Sequence, residues 1–300
     1  MLATNPTPSS LEKPTATQPL RLNKVRFGAL VVIHALALLA FLPWFFSWTG
    51  VVLVLVGHHL FGMLGITLGY HRLLTHRSLK CPRWFERTLA TLGVCCLQDT
   101  PARWVAIHRM HHQHSDRQDD PHTPGAGFLW SHMGWLLYEN RDHHSISSCD
   151  RYAHDVLRDP YYLWLEKGFN GLIVYVVHLA VFFAIGFAIG MQTSVDAGIQ
   201  FGLSLVIWGV FVRTVFVWHG TWSVNSVTHI MGYRNYETRE DSRNNWLVAL
   251  LSHGEGWHNN HHAKPRSACN QHRWWEFDLT YYVIRLFQRL GLATEVVTND

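Results

Sequence analysis

Eight histidines stand in three short clusters, and their spacing is typical of transition-metal ligands. The clusters read H-x-x-x-x-H at 71–76, H-x-x-H-H at 108–112 and H-x-x-H-H at 258–262. Imidazole is the commonest side-chain ligand for transition metals. One ion takes about four to six ligands, so eight clustered imidazoles predict a site for two ions. The candidate ligands are His71, His76, His108, His111, His112, His258, His261 and His262.

Helical spacing predicts that each H-x-x-H-H cluster presents its imidazoles on one face, because residues three and four apart are neighbours on a helix. His71 and His76 are five apart, about 140° around an ideal helix. That pair requires an irregular turn or a metal approached from one flank. Imidazole suits Zn, Cu, Fe and Ni alike, while structural zinc favours cysteine. The residues alone leave iron, zinc or copper open.

Four apolar segments are long enough to cross a bilayer, which requires about 20 residues. The loops 47–49 and 192–196 are very short and hold no Lys or Arg, so the spans pair as two hairpins. Positive charge lies in the other connections, which the positive-inside rule places in the cytosol together with both termini and the metal site. The predicted spans are 27–46, 50–70, 169–191 and 197–218.

The predicted fold is therefore an all-α, multi-pass integral membrane protein. Four transmembrane helices in two hairpins carry a helical cytosolic cap, formed by 71–168 and 219–300, that holds a di-metal site. The Pro-, Thr- and Ser-rich stretch 1–20 predicts a disordered tail, and 21–300 a single domain. A net charge of +4 does not indicate nucleic-acid binding. It suits an anionic membrane face or an acidic protein partner.

The clusters and their surroundings resemble the membrane fatty acyl desaturases. The likeness covers about residues 27–290 and is closest to the Δ9 type, the stearoyl-CoA desaturases of animals and the acyl-lipid Δ9 enzymes of bacteria. Its landmarks here are GITLGYHR at 65–72, DDPH at 119–122, WSHMGWLL at 130–137, NSVTH at 225–229 and GEGWHNNHH at 254–262.

The resemblance implies a di-iron centre held by nine histidines, with His229 as the ninth, and Asn225 reaching one iron through water. It also implies O2-dependent removal of two vicinal hydrogens from a saturated acyl chain, giving a cis double bond, most simply at Δ9. The chain contains no flavin or haem motif, so a separate electron donor, ferredoxin or cytochrome b5, is expected. The implied iron ligands are His71, His76, His108, His112 and His261 for one ion, and His111, His229, His258 and His262 for the other.

The resemblance also indicates substrate contacts. Trp222 matches a tryptophan near the acyl thioester of the animal enzymes, and Asp99 stands where they have an asparagine that contacts substrate. The Arg-Asp and Arg-Lys pairs that bind CoA in those enzymes are absent, and anionic phosphates favour Arg or Lys. Their absence weakens the assignment of acyl-CoA as the substrate and leaves an acyl-lipid or another carrier open. The residues at the CoA-binding positions are Ala106, Ile107, Glu139 and Asn140.

Two other functions are compatible with a histidine-rich membrane protein. A related di-iron hydroxylase or alkane monooxygenase usually spaces the first cluster as H-x-x-x-H, one residue shorter than 71–76. A non-enzymatic metal carrier would distribute its ligands along the spans. Here they crowd the predicted cytosolic end, which favours the desaturase.

Several other polar residues are not expected to bind metal. Histidines within the spans are expected to form hydrogen bonds between helices, and Arg213 to snorkel to the cytosolic interface. A metal-bound imidazole needs a partner for its second nitrogen, and five nearby residues can serve. The intramembrane histidines are His34, His58, His59 and His178, and the expected partners are His122, Asp116, Asp119, Asp120 and Glu255.

Overall fold

The computed structural model describes residues 11–298, which form helices and four isolated backbone bridges without any strand. The first half contains α1 (Lys24–Leu38), α2 (Trp48–Gly57, continuing as a π-helix over His58–Thr75), α3 (Arg83–Val94), α4 (Pro101–His114), α5 (Trp135–Leu137, preceded by a π-helical turn at Trp130–Gly134), α6 (Ile146–Leu157) and α7 (Pro160–Glu166). The second half contains α8 (Asn170–Gly190), α9 (Val195–Val206, continuing through Ile207–Val212, Arg213–Ser226 and Val227–His229), α10 (Trp246–Leu251), α11 (His258–Ala263) and α12 (Leu279–Arg289).

Within residues 11–298, four helices are long and apolar enough to cross a membrane, which confirms the four predicted spans. The second and fourth continue well beyond the predicted ends at 70 and 218. Hydropathy marks where an apolar run ends, whereas these two helices continue into the body that carries the histidine clusters. The four helices are Lys24–Phe41, Trp48–Thr75, Asn170–Gly190 and Val195–His229.

Helices α8 and α9 form a tight hairpin because glycines four residues apart line both sides of the contact. A Cβ atom at Gly186 would lie 2.8 Å from the Cα of Gly202, and one at Gly190 would lie 2.4 Å from the carbonyl oxygen of Ala197. Small residues at this spacing allow two membrane helices to approach backbone to backbone.

Replacing Gly190 by leucine is therefore expected to separate the hairpin and to lower stability by about 1–3 kcal/mol, the usual cost of overpacking. The matched control is Gly28→Leu in α1, where an added Cβ meets nothing within 4 Å. Thermal unfolding of the detergent-solubilised protein measures the difference. Equal stability of the two variants would contradict close packing at Gly190.

The first two spans both pack against the fourth. The turn between them bonds to α9 through the carbonyl oxygen of Phe45, which accepts from Ser204 Oγ at 2.8 Å and from Trp208 Nε1 at 2.9 Å. A Cβ atom at Gly50 would lie 2.5 Å from the Trp208 ring. Helix α9 is thus the element that joins the two pairs of spans and carries its last turn to the histidine clusters.

The expectation that Arg213 snorkels is wrong, because this side chain is completely buried. Its guanidinium donates to the carbonyl oxygens of Gly209 at 3.1 Å and Cys95 at 3.0 Å. It also lies 3.2 Å from Nε2 of His178 and 4.2 Å from the centroid of the Phe61 ring. Backbone carbonyls and an aromatic face satisfy the cation inside the protein, so it does not need the interface.

Three of the four intramembrane histidines form the expected contacts between helices. The fourth, His59, is bonded only within its own helix, to the carbonyl oxygen of Leu55 at 2.8 Å. The contacts between elements join His34 to His219 at 3.2 Å, His58 to the Leu251 carbonyl oxygen at 2.8 Å and His178 to Arg213 at 3.2 Å.

Disorder was expected through residue 20, but residues 11–20 have a defined path over the helical cap. Leu11 donates its amide to the Gly125 carbonyl at 2.9 Å, and the Arg141 amide donates to the Ala16 carbonyl at 3.2 Å. Thr17 is buried. Prolines in this stretch restrict φ and reduce the entropy lost on ordering. Residues 1–10 of the predicted tail lie outside the described residues.

Helix α4 is held between the end of α2 and α6, which places the second histidine cluster beside the first. Arg109 of α4 donates to the carbonyl oxygens of Leu74 at 2.9 Å and Tyr152 at 2.8 Å, and to the Asp155 carboxylate at 2.6 Å. Helix α4 also shares an apolar core with α3 and α7, to which it contributes the fully buried Val105. This packing fixes α4 against α2 independently of any metal.

Candidate metal centre

The first histidine group brings together residues from α4, α11 and the end of α2. All five ligand atoms lie within 4.8 Å of one another. The Nε2 atom of His261 is 3.1 Å from that of His71 and 3.0 Å from that of His112. The group consists of His71, His76, His108, His112 and His261.

The second group contains four histidines from α4, the last turn of α9 and α11. The Nε2 atoms of His229 and His258 are 3.1 Å apart, and those of His111 and His262 are 3.3 Å apart. His229, which cluster spacing alone does not identify, lies among them. The structure thus brings together the same two sets that the resemblance implied. The second set is His111, His229, His258 and His262.

The last part of α2 resolves the problem of the five-residue spacing. From His58 to Thr75 it is a π-helix, in which each residue bonds to the fifth before it. The His76 amide donates to the His71 carbonyl at 3.1 Å, and the two imidazole centroids are 4.7 Å apart. Of the two explanations considered, the irregular turn is therefore confirmed.

Each H-x-x-H-H cluster is divided between the two groups, in the same way as in the ligand sets that the resemblance implied. His108 and His112 belong to the first group and His111 to the second. In α11 the division is reversed, with His261 alone in the first group. In each cluster the first and last histidines are four residues apart and stack along the helix, while the middle one lies to one side. Each of these helices therefore faces both groups.

The nitrogen atoms fit metal ions, because lone pairs converge in both groups. Nδ1 of His71 is 3.0 Å from the Glu255 carboxylate and Nδ1 of His229 is 2.9 Å from that of Asp116. In each case Nδ1–H donates, which leaves the lone pair on Nε2. Two ligands at right angles, each about 2.1 Å from one ion, lie about 3.0 Å apart, close to the Nε2–Nε2 distances observed.

Burial also prepares these imidazoles for metal binding. Nε2 of His76 is buried without a hydrogen-bond partner. Burial, reinforced by the neighbouring imidazoles, holds the pKa values of His112, His258 and His261 well below their usual range. The rings are neutral at physiological pH, and only a neutral imidazole offers its lone pair to a metal.

Three of the expected outer partners contact the predicted ligands. Asp120 Oδ2 accepts from His111 Nδ1 at 2.9 Å, in addition to the contacts of Glu255 and Asp116 described above. Asp119, also expected, is exposed. The ring centroid of His122 lies 4.3 Å from that of His111. Sequence reasoning missed Glu240, whose carboxylate is 3.6 Å from Nδ1 of His262.

Glu255 is itself held by a buried ion-pair network. Arg72 Nε donates to Glu255 Oε1 at 3.0 Å, and Arg72 Nη1 donates to Asp278 Oδ2 at 2.8 Å. Burial raises the pKa of the Glu255 carboxyl. Arg72 and His71 lower it by more than burial raises it, and the resulting pKa is about 2. The carboxylate therefore remains charged and holds the His71 ring in one tautomer. Asp278 was not predicted.

A model of the fatty acid desaturase family matches residues 46–292. The chain belongs to the fatty acid desaturase family. It is 44% identical over 286 residues to an sn-1 stearoyl-lipid 9-desaturase of Anabaena variabilis, covering 95% of this chain and 97% of the relative. It is 41% identical to an sn-2 palmitoyl-lipid 9-desaturase of Nostoc sp. (strain 36), covering 93% and 90%. An acyl-CoA C20 Δ5-desaturase of Anemone leveillei is 40% identical, with 88% and 78% covered.

The desaturase is an oxidoreductase that acts on fatty acyl chains, as the resemblance indicated. Two cavities adjoin its histidine groups, with volumes of about 180 Å³ and about 50 Å³. They share a wall made by Trp104, His108, Thr221 and Asn225. A chain passing from one cavity to the other would therefore run directly beside the first histidine group.

Both residues that were predicted to contact substrate line the larger cavity of the desaturase. Trp222 is buried in its wall. The Asp99 carboxylate, which also lines the cavity, accepts from Arg26 Nη2 at 2.9 Å. Ile107, at one of the positions where the animal enzymes bind CoA, also lines this cavity. Substrate contact by Trp222 and Asp99 remains a prediction.

Proposed function

We propose that this desaturase introduces a cis double bond at Δ9 of a saturated acyl chain, using two iron ions, O2 and electrons from a separate protein. The observation that carries the proposal is the pair of histidine groups beside two adjoining cavities. In the proposed reaction two vicinal hydrogens leave the chain. With two electrons from the donor and two protons, they reduce one O2 to two waters.

The nine grouped histidines would hold the two irons, with Asn225 reaching the second through water. Bound iron supplies the oxidising power that an unactivated methylene requires. The protein supplies position and exclusion of water. Trp104 stacks on the His108 ring with centroids 4.9 Å apart, which places an aromatic wall beside the first group. Thr221, held by Gln98 Nε2 at 3.0 Å, completes the passage between the cavities.

We propose that the acyl carrier is a membrane lipid. The wall of the larger cavity includes Arg26, Ala29 and Leu30 from the start of the first span, so the mouth would open beside the membrane. Arg26 is paired with Asp99 rather than left free for a phosphate. The two cyanobacterial relatives described above are named for lipid-linked substrates. The Anemone enzyme is named for acyl-CoA, so the carrier needs a direct test.

The carrier can be identified with isolated membranes that contain the desaturase. They are supplied with labelled acyl chains either on a glycerolipid or as acyl-CoA. We expect the labelled chain supplied on a glycerolipid to become monoenoic before it is transferred to CoA. Faster conversion of acyl-CoA in membranes depleted of acyltransferase activity would contradict the lipid carrier. The assay is run once with ferredoxin and once with cytochrome b5, each with its reductase. The faster conversion identifies the better electron donor.

The orientation we propose places both termini and the histidine groups in the cytosol. The turns at 42–47 and 191–194 hold no Lys or Arg, which places them on the opposite side by the positive-inside rule. A single cysteine introduced at Gln192 is expected to react with an impermeant thiol reagent from outside intact cells, whereas one at Glu237 is not. The reverse pattern would invert the topology.

Expression in a host that lacks its own desaturase tests the activity itself. We expect cis-9 monoenoic chains to appear when a functional donor is present and to be absent with an empty vector. An unchanged monoenoic fraction would contradict desaturation. Hydroxylated chains in place of alkenes would favour the related hydroxylase instead.

A further inference from the structure

Two imidazoles lie at the end of the smaller cavity that is remote from the histidine groups. They are His58 of α2 and His253, from the segment that follows α10, and their ring centroids are 4.3 Å apart. Their relative exposures are 7% and 4%. His58 stands 13 residues before His71 on the same helix. Neither residue belongs to the nine grouped histidines.

One ring nitrogen of His58 is an unpaired acceptor. Its Nε2 lies 2.8 Å from the carbonyl oxygen of Leu251, which can only accept, so Nε2 carries the hydrogen and Nδ1 the lone pair. Nδ1 is buried without a partner. A Cβ atom at Gly62 would lie 3.2 Å from it. His58 and Gly62 both line the cavity, so this unpaired atom lies in the cavity wall.

His253 Nε2 is the second unpaired atom at this end. The other polar groups nearby are satisfied by backbone, since Thr67 donates to the Met63 carbonyl at 2.8 Å and Ser252 to the Val248 carbonyl at 2.6 Å. The rest of this wall is apolar. Burial lowers the pKa of His253 to about 2, so its ring is neutral and one nitrogen carries a hydrogen. Buried polar atoms are almost always paired.

We propose that this end of the smaller cavity is a binding site for a hydroxyl group between Nδ1 of His58 and Nε2 of His253. The O–H donates to His58 and its oxygen accepts N–H from His253. The proposal rests on the proposed function, under which the cavity holds the acyl chain beyond the reacting carbons. The hydroxyl belongs to a bound water when the chain ends in a methyl group, or to the chain itself when it ends in an ω-hydroxyl.

An apolar cavity end would reject an ω-hydroxyl, because burying an unpaired hydroxyl is unfavourable. This site instead accepts it. The desaturase is therefore expected to convert ω-hydroxyacyl chains whose length brings the terminal oxygen to His58 and His253. With a methyl-ended chain, the bound water sets where the chain stops.

The test compares ω-hydroxy and methyl-ended acyl lipids in competition, using the full-length desaturase in membranes with its donor. We expect His253→Leu to lower the ratio of ω-hydroxy to methyl-ended product about tenfold, the scale of one hydrogen bond. His253→Gln, which keeps a donor near the Nε2 position, should restore much of it. Gly62→Ala should lower it too, by covering Nδ1 of His58. His144→Leu, at an exposed histidine that does not line this cavity, is the control.

The arms separate the two sources of the hydroxyl. A changed ω-hydroxy ratio assigns the site to the chain terminus. If His253→Leu leaves this ratio unchanged but prefers longer methyl-ended chains than the wild type does, the site holds water alone. If neither changes while methyl-ended turnover persists, the inference is overturned.

Binding of the same lipids, measured as a shift in thermal unfolding of the full chain, does not depend on turnover. A larger shift with the ω-hydroxy lipid for the wild type than for His253→Leu supports the site even without activity. In that case the proposed desaturation would fail and the hydroxyl site would stand. Equal shifts would overturn the site.

Discussion

Substituting His229 by alanine is expected to abolish desaturation and to lower the iron content from about two ions per chain to about one. His229 is one of only four nitrogen donors in its group, and its Nε2 lies 3.1 Å from that of His258. Loss of an outer partner alone costs about 10–100-fold in metal affinity or activity, and loss of the ligand itself is expected to cost more. The first group keeps all five donors.

The matched control is His114→Ala, at the end of α4 and outside both groups. It should retain two irons and full activity. Iron and zinc are measured together on protein from iron-supplied cells, because imidazole binds either metal. A fully active His229→Ala variant with two irons would remove His229 from the site. Loss of both irons would mean that the two groups bind metal as one unit.

The histidine clusters could be predicted from sequence because polar residues at helical spacing stand out between apolar runs. His229 could not be found in that way. It is a lone histidine at the end of a 35-residue helix, and its neighbour His258 is 29 residues further along the chain. Only the resemblance indicated it, through a motif in which Asn225 precedes it by one helical turn.

The outer partners were predictable only where they lie close in the sequence to a histidine cluster. Asp120 is nine residues from His111 and was expected to be a partner. Asp278 is separated by 206 residues from Arg72, and no spacing rule relates residues so far apart. Their contact depends on how the chain returns across the cap, which is a property of tertiary packing.

Helix type and charge burial were also beyond the reach of hydropathy. An apolar run predicts a span but does not distinguish i→i+4 from i→i+5 bonding, so the π-helix at His58–Thr75 could only be offered as one of two explanations. Arg213 was placed at the interface because a cation prefers water. The interior instead supplies carbonyl oxygens at hydrogen-bonding distance, and no local pattern in the sequence marks them.

Substituting Arg72 by alanine is expected to destabilise the protein by about 3–5 kcal/mol, because removing one member of a buried ion-pair network leaves uncompensated charge. Arg72 is 1% exposed and lies between two buried carboxylates, Glu255 and Asp278. Unfolding in mixed micelles measures the loss. Arg77→Ala is the control, since that side chain is 62% exposed in its pair with Asp155 and surface pairs contribute less than about 1 kcal/mol.

The same substitution should affect the metal before it unfolds the protein. Without Arg72, Glu255 keeps only the Asn270 amide and His71 as partners, so the His71 ring is held less firmly and iron should be lost first from the five-histidine group. Arg72→Lys keeps the charge but cannot form the forked contacts to both acids, and we expect an intermediate stability and iron content. If Arg72→Ala lowers stability while both irons remain bound with unchanged affinity, the network stabilises the cap but does not position His71.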